Sequence, residues 1–408
     1  MYKKSLLFYT LTYFATTHYV FGAGDEDIRC VASSCKDVKC SSVPKQCNKN
    51  DTSTGIYMLS PDICNCCDYC LYNLVEGEDC TIGDPSNPKH YSICGPSLTC
   101  VAEENQIDGT CQKMSTECAL KQQNYDKRRE DGYLGTMEIR ANCDEDGFYD
   151  TYKCTPGQTC HCLHLNGSRI FGEANFNTIP SYMPCACSRA YYDAVEVIGR
   201  ELYPTEHFRC TENGNYDHVQ CINEKCLCVD TEDGAPTFPD DKLVPLNKVT
   251  NETLTCYKGD KAGNYYKECE VAYLEIRKEV LAKKNETGAN LVIGYSYPSC
   301  DLDGTYKPVQ ENKTHKYCVN KQGSLLTTPL EKNSQLAQTM DCKCARATVI
   351  MTSAEKPNCL ENGNYNSIQR RRGLCRCVDQ DGHQKCSSDE KECEEVEESE
   401  AANLNCSF

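Results

Sequence analysis

The chain of 408 residues contains no tryptophan, and only 39% of its residues are hydrophobic. That shortage excludes a single large core, since a chain this long normally divides into domains with their own cores. Long apolar runs are missing too: beyond the N-terminus no segment approaches the roughly 20 apolar residues of a membrane span. Histidine is scarce. The eight histidines (His18, His90, His161, His164, His207, His218, His315 and His383) are scattered, with no His-Glu-x-x-His, Gly-x-Ser-x-Gly or phosphate loop. The chain is therefore read as non-enzymatic and without a cofactor. His161 and His164 flank Cys162, and they are read as surface residues of a hairpin rather than metal ligands. Recurrent Asp-x-Asp-Gly segments lack the twelve-residue calcium loop with its terminal Glu, so their carboxylates are assigned to turns and no metal is expected. Positive charge is also in deficit: 60 acidic residues face 43 basic ones, a net charge of −17. Nucleic acid is excluded as a partner, because phosphate binding needs clustered positive charge.

What the chain has in excess is cysteine, 35 residues. At that density the expectation is an oxidising compartment and small domains held by disulfides. The N-terminus agrees. Met1-Tyr2-Lys3-Lys4 is a basic start, Ser5 to Phe14 is mostly apolar, and small residues around Gly22-Ala23-Gly24 precede an acidic run, so residues 1–24 read as a signal peptide. Thr10, Thr12, Thr16, Thr17 and His18 interrupt the apolar stretch and argue against an anchor. A secreted, extracellular protein without membrane insertion is expected. Asn-x-Ser/Thr sequons at Asn50, Asn166, Asn251, Asn285 and Asn312 mark candidate glycosylated surface loops.

One pattern occurs four times: cysteine, three residues, glycine, one residue, tyrosine. The copies are Cys143–Gly147–Tyr149, Cys210–Gly214–Tyr216, Cys300–Gly304–Tyr306 and Cys359–Gly363–Tyr365. Asp-Gly or Asn-Gly at each suits a tight turn with positive φ. Strands follow in register at Val219-Gln220-Cys221, Val309-Gln310-Glu311 and Ile368-Gln369-Arg370, and more loosely at Tyr152-Lys153-Cys154. Cys-x-Cys comes next, at Cys160-His161-Cys162, Cys226-Leu227-Cys228 and Cys375-Arg376-Cys377, with Lys316-Tyr317-Cys318 in the same frame. A second turn closes each unit, at Asn166-Gly167, Asp233-Gly234, Gln322-Gly323 and Asp381-Gly382. A helix opens each repeat, clearest where Cys269, Ala272, Tyr273, Ile276 and Val280 share one face, read as packing against its own hairpin.

This unit resembles the thyroglobulin type-1 domain, with the signature Cys-Asp-x-Asp-Gly-x-Tyr, Gln-Cys and Cys-Trp-Cys-Val. Its tryptophan is replaced here by His161, Leu227, Tyr317 and Arg376. The resemblance divides the chain into repeat one (114–186), repeat two (187–257), a degenerate repeat three (258–343), a degenerate repeat four (344–388) and an acidic tail (389–408). It implies that cysteines pair in sequence order: Cys118 with Cys143, Cys154 with Cys160, Cys162 with Cys185; then Cys187 with Cys210, Cys221 with Cys226, Cys228 with Cys256. In repeat three Glu311 and Lys316 replace both members of one bridge, leaving Cys269, Cys300, Cys318 and Cys342. In repeat four, beside Cys344 and Cys359, Arg370 replaces a cysteine whose partner Cys375 stays. Cys375 must then find Cys386, Cys393 or Cys406, stay free, or link two chains as a dimer.

Residues 25–113 hold twelve cysteines around Cys64-Asn65-Cys66-Cys67. A zinc site and a redox pair were weighed against a disulfide ladder, and behind a signal peptide the ladder is preferred. The segment resembles the N-terminal domain of insulin-like growth factor binding proteins. That likeness implies a ligand patch formed by Ile82, Tyr91, Ile93 and Leu98, although the final loop, Val101 to Thr110, is short and lacks the paired leucines. The fold class expected is thus a string of small disulfide-rich domains: a cysteine-rich ladder module, then four units of a short helix and β-hairpins.

Two partners follow from these resemblances. The first is an insulin-like growth factor or related peptide sequestered by the two module types together. The alternative is a papain-like cysteine protease, because some thyroglobulin type-1 domains are wedges whose paired loops enter the protease cleft. Here the first loops would present Tyr133, Leu134 and Gly135 in repeat one and Tyr203 and Pro204 in repeat two. Second loops would present Pro156 and Gly157, and Asn223 and Glu224. Arg370-Arg371-Arg372 reads as a cleavage site, a heparin contact or three solvated arginines. The acidic run from Asp389 to Glu400 reads as disordered.

Overall fold

The computed structural model describes residues 35, 36, 38–40, 47, 55–58, 66, 67, 69–82, 92–95, 97–103, 106–144, 146–176, 183–237, 242–259, 264–353, 355–386 and 393–406. Residues 1–24, read as a signal peptide, Asn50 and Tyr91 lie outside them. The chain divides into two compact units, residues 1–113 and 114–408.

The first unit has two small sheets. Strand β1 (Gly55–Met58) pairs antiparallel with β2 (Tyr69–Leu74), which pairs parallel with β4 (Ser92–Cys94). The other sheet places β6 (Asp108–Lys113) between β3 (Asp79–Thr81) and β5 (Leu98–Ala102). Bridges Cys35–Cys66, Cys40–Cys67 and Cys47–Cys70 hold the first part, and Cys80–Cys100 and Cys94–Cys111 the second. Among the described residues Leu74, Cys80 and Cys111 form a small apolar cluster with Tyr72, Cys94, Leu98 and Cys100 around them, the kind of core that cross-links supplement.

In the second unit the same small fold recurs four times. Repeat one runs from α1 (Glu117–Asp131) into a sheet of β7 (Tyr152–Cys154), β8 (Thr159–Leu163) and β9 (Arg169–Asn175). Repeat two has α2 (Ala186–Ile198), β10 (Val219–Ile222), β11 (Lys225–Cys228) and β12 (Val244–Pro245). Repeat three has α3 (Glu268–Thr287), β13 (Val309–Glu311), β14 (His315–Cys318) and β15 (Leu330–Glu331), then a one-turn helix α4 (Gln335–Gln338). Repeat four has α5 (Lys343–Ile350), β16 (Ile368–Arg371), β17 (Leu374–Cys377) and β18 (Glu395–Glu397). In each antiparallel sheet the Cys-x-Cys strand, or its equivalent in repeat three, lies in the middle.

The cysteines pair in sequence order at every position for which that order was expected. At each signature turn the cysteine bridges antiparallel to the tyrosine across a glycine at φ near 80°. The second-turn glycines, Gly167, Gly234, Gly323 and Gly382, also have positive φ, and each lies under the ring of its signature tyrosine, where a Cβ would collide with the ring. Two independent constraints thus require glycine there.

Repeat four contains the cysteines whose partners were left open. Cys377 pairs with Cys406 and Cys386 with Cys393, so the acidic segment supplies the last bridge. Residues 395–397 form β18 against β17, and a short 3-10 helix covers 398–403. Disorder, expected from charge alone, is overturned for 393–406: the bridges and the Arg370–Glu398 pair hold the segment on a basic strand. Cys375 is the free thiol among the described residues and is buried between Leu404 and Cys377, a position from which Sγ is not offered to a second chain. No helix among the described residues is long and apolar enough to cross a membrane.

Neighbouring repeats are riveted together. Repeats one and two are separated by Cys185-Ala186-Cys187, and Arg189 in α2 donates back to the carbonyls of Leu163 and Tyr149, both at 2.9 Å. Repeats three and four reproduce this: across Cys342-Lys343-Cys344, Arg346 donates to Val319 and Tyr306 carbonyls at 3.1 and 3.0 Å. Repeat two meets repeat three through the buried pair Arg209–Glu270, and its Cys210 N–H donates to the Leu302 carbonyl at 3.0 Å. The α3 face carrying Tyr273 therefore packs on repeat two, with Tyr203 at 6.3 Å, as well as on its own loop at Tyr297, 5.0 Å away.

Candidate functional site

Each repeat projects two loops on the same side of its first hairpin: one between helix and signature cysteine, the other between the first two strands. In repeats two to four a glutamine holds them in register. In repeat two, Gln220 accepts from the Arg209 N–H at 2.8 Å and donates to the Arg209 and Asp217 carbonyls at 2.7 and 2.8 Å. Gln310 and Gln369 grip Ser299 and Asn358 in the same way. The end of the first loop is thereby tied to the strand that launches the second.

Repeat two presents the best-formed pair. Helix α2 ends at Gly199, left-handed at φ 74°. The loop beyond it is closed by Arg200, which pairs with Glu206 at 2.9 Å and stacks on Tyr203, while Glu206 also accepts from the Tyr203 N–H at 3.0 Å. Partial burial pushes the Glu206 carboxyl up, but its Arg200 and Tyr203 hydrogen bonds outweigh that and leave it below the usual range. Tyr203 stays 49% exposed and Pro204 half-buried. The second loop is a two-residue turn, Asn223-Glu224, both left-handed, closed by Cys221–Cys226, with residues 223–225 exposed. Behind it Arg209 is buried, its guanidinium 3.6 Å from the centre of the Tyr265 ring.

Repeat one differs. Tyr133 is exposed, but Leu134 and Gly135 are half-buried and the second loop, Thr155 to Thr159, is buried or half-buried throughout. The cover comes from repeat four. Glu395 accepts from the N–H and hydroxyl of Thr136, both at 2.8 Å, and Gln384 accepts from the Met137 N–H at 2.8 Å. Gln384 also donates to Glu395 at 2.7 Å, and Arg376 lies 3.3 Å from the same carboxylate while donating to Thr136 at 3.2 Å. Arg371 donates to the Pro156 carbonyl. Gly135 and Gly157 permit this approach, since a Cβ on either would run into Gln384 or Arg371.

Arg371, for which a cleavage site, a heparin contact and a solvated arginine were all open readings, has a side chain only 12% exposed. Sequence reasoning placed His161 at the surface, whereas His161 is 2% exposed and its ring lies 5.0 Å from that of His383 in repeat four. His164, expected beside it, is half-buried and lies 3.2 Å from Asp193. Burial above all, and then Arg169, hold His161 well below the usual imidazole range; burial likewise lowers His383 despite its contact with Asp379. Asp379, Asp381 and His383 are close enough to share an ion, but Lys343 already lies 2.7 Å from Asp381 and Arg169 3.7 Å, so the carboxylate charge is answered internally.

Repeat three places Glu311 opposite Lys316 where its bridge would be, and its first loop exposes Leu291 and Ile293 by 75% and 85%. In the first unit Ile82 and Ile93 are exposed, whereas Leu98 packs toward Leu74 and Cys111. Asn166, Asn251, Asn285 and Asn312 are all exposed. The covering residues Gln384 and Glu395 went unread in the sequence. The clamp glutamines left a signal there, recurring in frame at the second position of the first strand in repeats two to four.

A family model described as thyroglobulin type-1 repeat matches residues 111–182, 199–242 and 274–342. The chain carries thyroglobulin type-1 repeats. It is 30% identical to mouse thyroglobulin over 111 residues, covering 26% of this chain and 4% of that one. Similarity to U20-hexatoxin-Hi1a of Hadronyche infensa is 35% over 91 residues, 20% of this chain and 60% of the toxin. Equistatin of Actinia equina is 30% identical over 95 residues, 21% of this chain and 41% of equistatin. The chain thus matches about 4% of the length of the thyroglobulins.

Proposed function

We propose that the protein is an extracellular inhibitor of papain-like cysteine proteases acting through the paired loops of its thyroglobulin type-1 repeats, with repeat two as the accessible one. The observation that carries this reading is the repeat-two loop pair: an exposed Tyr203 loop closed by Arg200 and Glu206, beside an exposed Asn223-Glu224 turn closed by Cys221–Cys226. A wedge fixed before it meets a cleft loses little conformational entropy on binding, and cross-linked loops are the means of fixing it. Tyr203 supplies an aromatic contact, and Asn223 and Glu224 the second edge. The match covers 60% of the hexatoxin and 41% of equistatin, against about 4% of the thyroglobulins, which supports reading the repeat as a small stand-alone module. Capture of an insulin-like peptide has weaker support, because Ile82 and Ile93 are exposed but Leu98 is engaged in packing.

Titration of the full chain against a cathepsin L-like protease tests the reading. Inhibition at submicromolar protein is expected, and the double variant Cys221→Ala/Cys226→Ala should weaken it about tenfold, equivalent to about 1.4 kcal/mol. Absence of inhibition at micromolar wild-type protein would refute it.

A further inference from the structure

We infer that repeat four is a built-in cover over the loop pair of repeat one, so that the intact chain offers one protease-binding loop pair and opening the cover exposes a second. The inference rests on the proposed function for what the loops bind, but the cover itself stands on geometry.

Three contacts define it. At the first loop, Glu395 and Gln384 take the backbone N–H groups of Thr136 and Met137. These amides edge the first loop beside Tyr133, Leu134 and Gly135, and they are unavailable to an outside acceptor while those side chains are in place. At the second loop, Arg371 binds the Pro156 carbonyl and fills the space above Gly157. Between the loops, His161 faces His383. His383 and Gln384 lie in the closing turn that every repeat has, and the other covering residues belong to parts of repeat four that depart from repeat two. Arg371 lies in β16 beside the Arg370 that replaced a cysteine, Arg376 occupies the centre of Cys-x-Cys, and Glu395 is on the acidic strand β18. Repeat one has a complementary departure. Lys153 stands where repeats two to four have the clamp glutamine, and the charge of Asp379 acts on it from repeat four. The losses that leave repeat four poor as a wedge are the changes that fit it to repeat one.

The full-length chain tests this through two independent readouts. Protease bound per chain, read by light scattering of the complex, should be one equivalent for the wild type and two for Gln384→Ala/Glu395→Ala. Hydrogen exchange at Thr136 and Met137 should be slow in the wild type and at least tenfold faster in the variant. Retained binding at repeat two reports that the variant is folded, and Arg371→Ala, which releases the second loop, should act in the same direction. Two equivalents on the wild type, or one on a variant whose Thr136 and Met137 amides have opened, would overturn the inference. If no form binds protease, the proposed function fails by itself. The cover then stands on exchange alone, and unprotected amides in the wild type would sink it.

Discussion

At the residue scale the clamp glutamines do more than their exposure suggests. Gln220, Gln310 and Gln369 each pair with a backbone N–H and two carbonyls, and at Gln220 the N–H and one carbonyl belong to the buried Arg209. Removing Gln220 leaves those buried groups unpaired, a cost of about 1–3 kcal/mol. Gln220→Ala should therefore lower the urea midpoint of the second unit and loosen the Tyr203 loop, with a smaller effect at the exposed Gln322. An unchanged midpoint would show that water replaces the clamp at no cost. The free thiol gives a second residue-level expectation. Cys375 should resist a thiol reagent in the native protein and react once the chain is denatured, and Cys375→Ala should leave the oligomeric state unchanged. Rapid labelling of native protein would contradict its burial. His161 illustrates why a sequence reading stops short at this scale. A histidine between two bridged cysteines looks solvated when its hairpin is considered alone, and it is buried here only because another repeat, more than 200 residues on, closes over it.

At the element scale, the four helix-and-hairpin units were legible because their determinants are local. Positive-φ glycines, a cysteine at each helix start and alternating strands lie within one repeat, whereas the order of the bridges was implied by the family resemblance and not by these local features. What was not legible depends on neighbours across the sequence. The acidic run from Asp389 looked disordered by composition, yet its described part from Cys393 is tied by Cys406 to Cys377 of β17 and by Cys393 to Cys386, and its carboxylates meet Arg370 of β16 and Arg376 of β17. The α3 stripe was assigned to its own hairpin, but it also packs against Tyr203 of repeat two. The contact between β8 and the closing turn of repeat four carries a pH dependence. His161 and His383 are faced by Lys153 on β7, Arg169 and Glu173 on β9, Lys343 on α5, and Asp379 and Asp381 in the turn. Both imidazoles titrate lower when folded than when free, so the closed contact binds fewer protons than the open one. Its stability is fully present above about pH 6.5 and declines as pH falls below that value. Protection factors at Thr136 and Met137 should accordingly drop between pH 7 and pH 5.5, and His161→Gln/His383→Gln should flatten the dependence. Equal protection across that range would remove the histidines from any role in holding the cover.

At the scale of the second unit, contacts run from repeat one to two, two to three, three to four and back from four to one. In a linear array each repeat is stabilised by its neighbours, and the terminal ones fray because they have only one. Closure changes that expectation: repeat four gains a second neighbour through Glu395, Gln384 and Arg371, and repeat one gains it reciprocally. The junctions are unequal in kind. Arg189 and Arg346 repeat one solution, a guanidinium on two backbone carbonyls of the preceding repeat, which makes the second unit two similar pairs joined by a linker carrying Tyr265. Opening the closing junction should then convert the closed array into a linear one without touching either pair. In Gln384→Ala/Glu395→Ala, amides of β16 and β17 should exchange faster than in the wild type, while those of β10 and β11, whose junctions are intact, keep their rates. Arg346→Ala should instead speed exchange at the junction of repeats three and four and leave Arg189 and its carbonyl partners unaffected. Uniform acceleration across all four repeats in both variants would mean that the unit opens as one cooperative body, and a cover that lifts separately from repeat one would then be untenable.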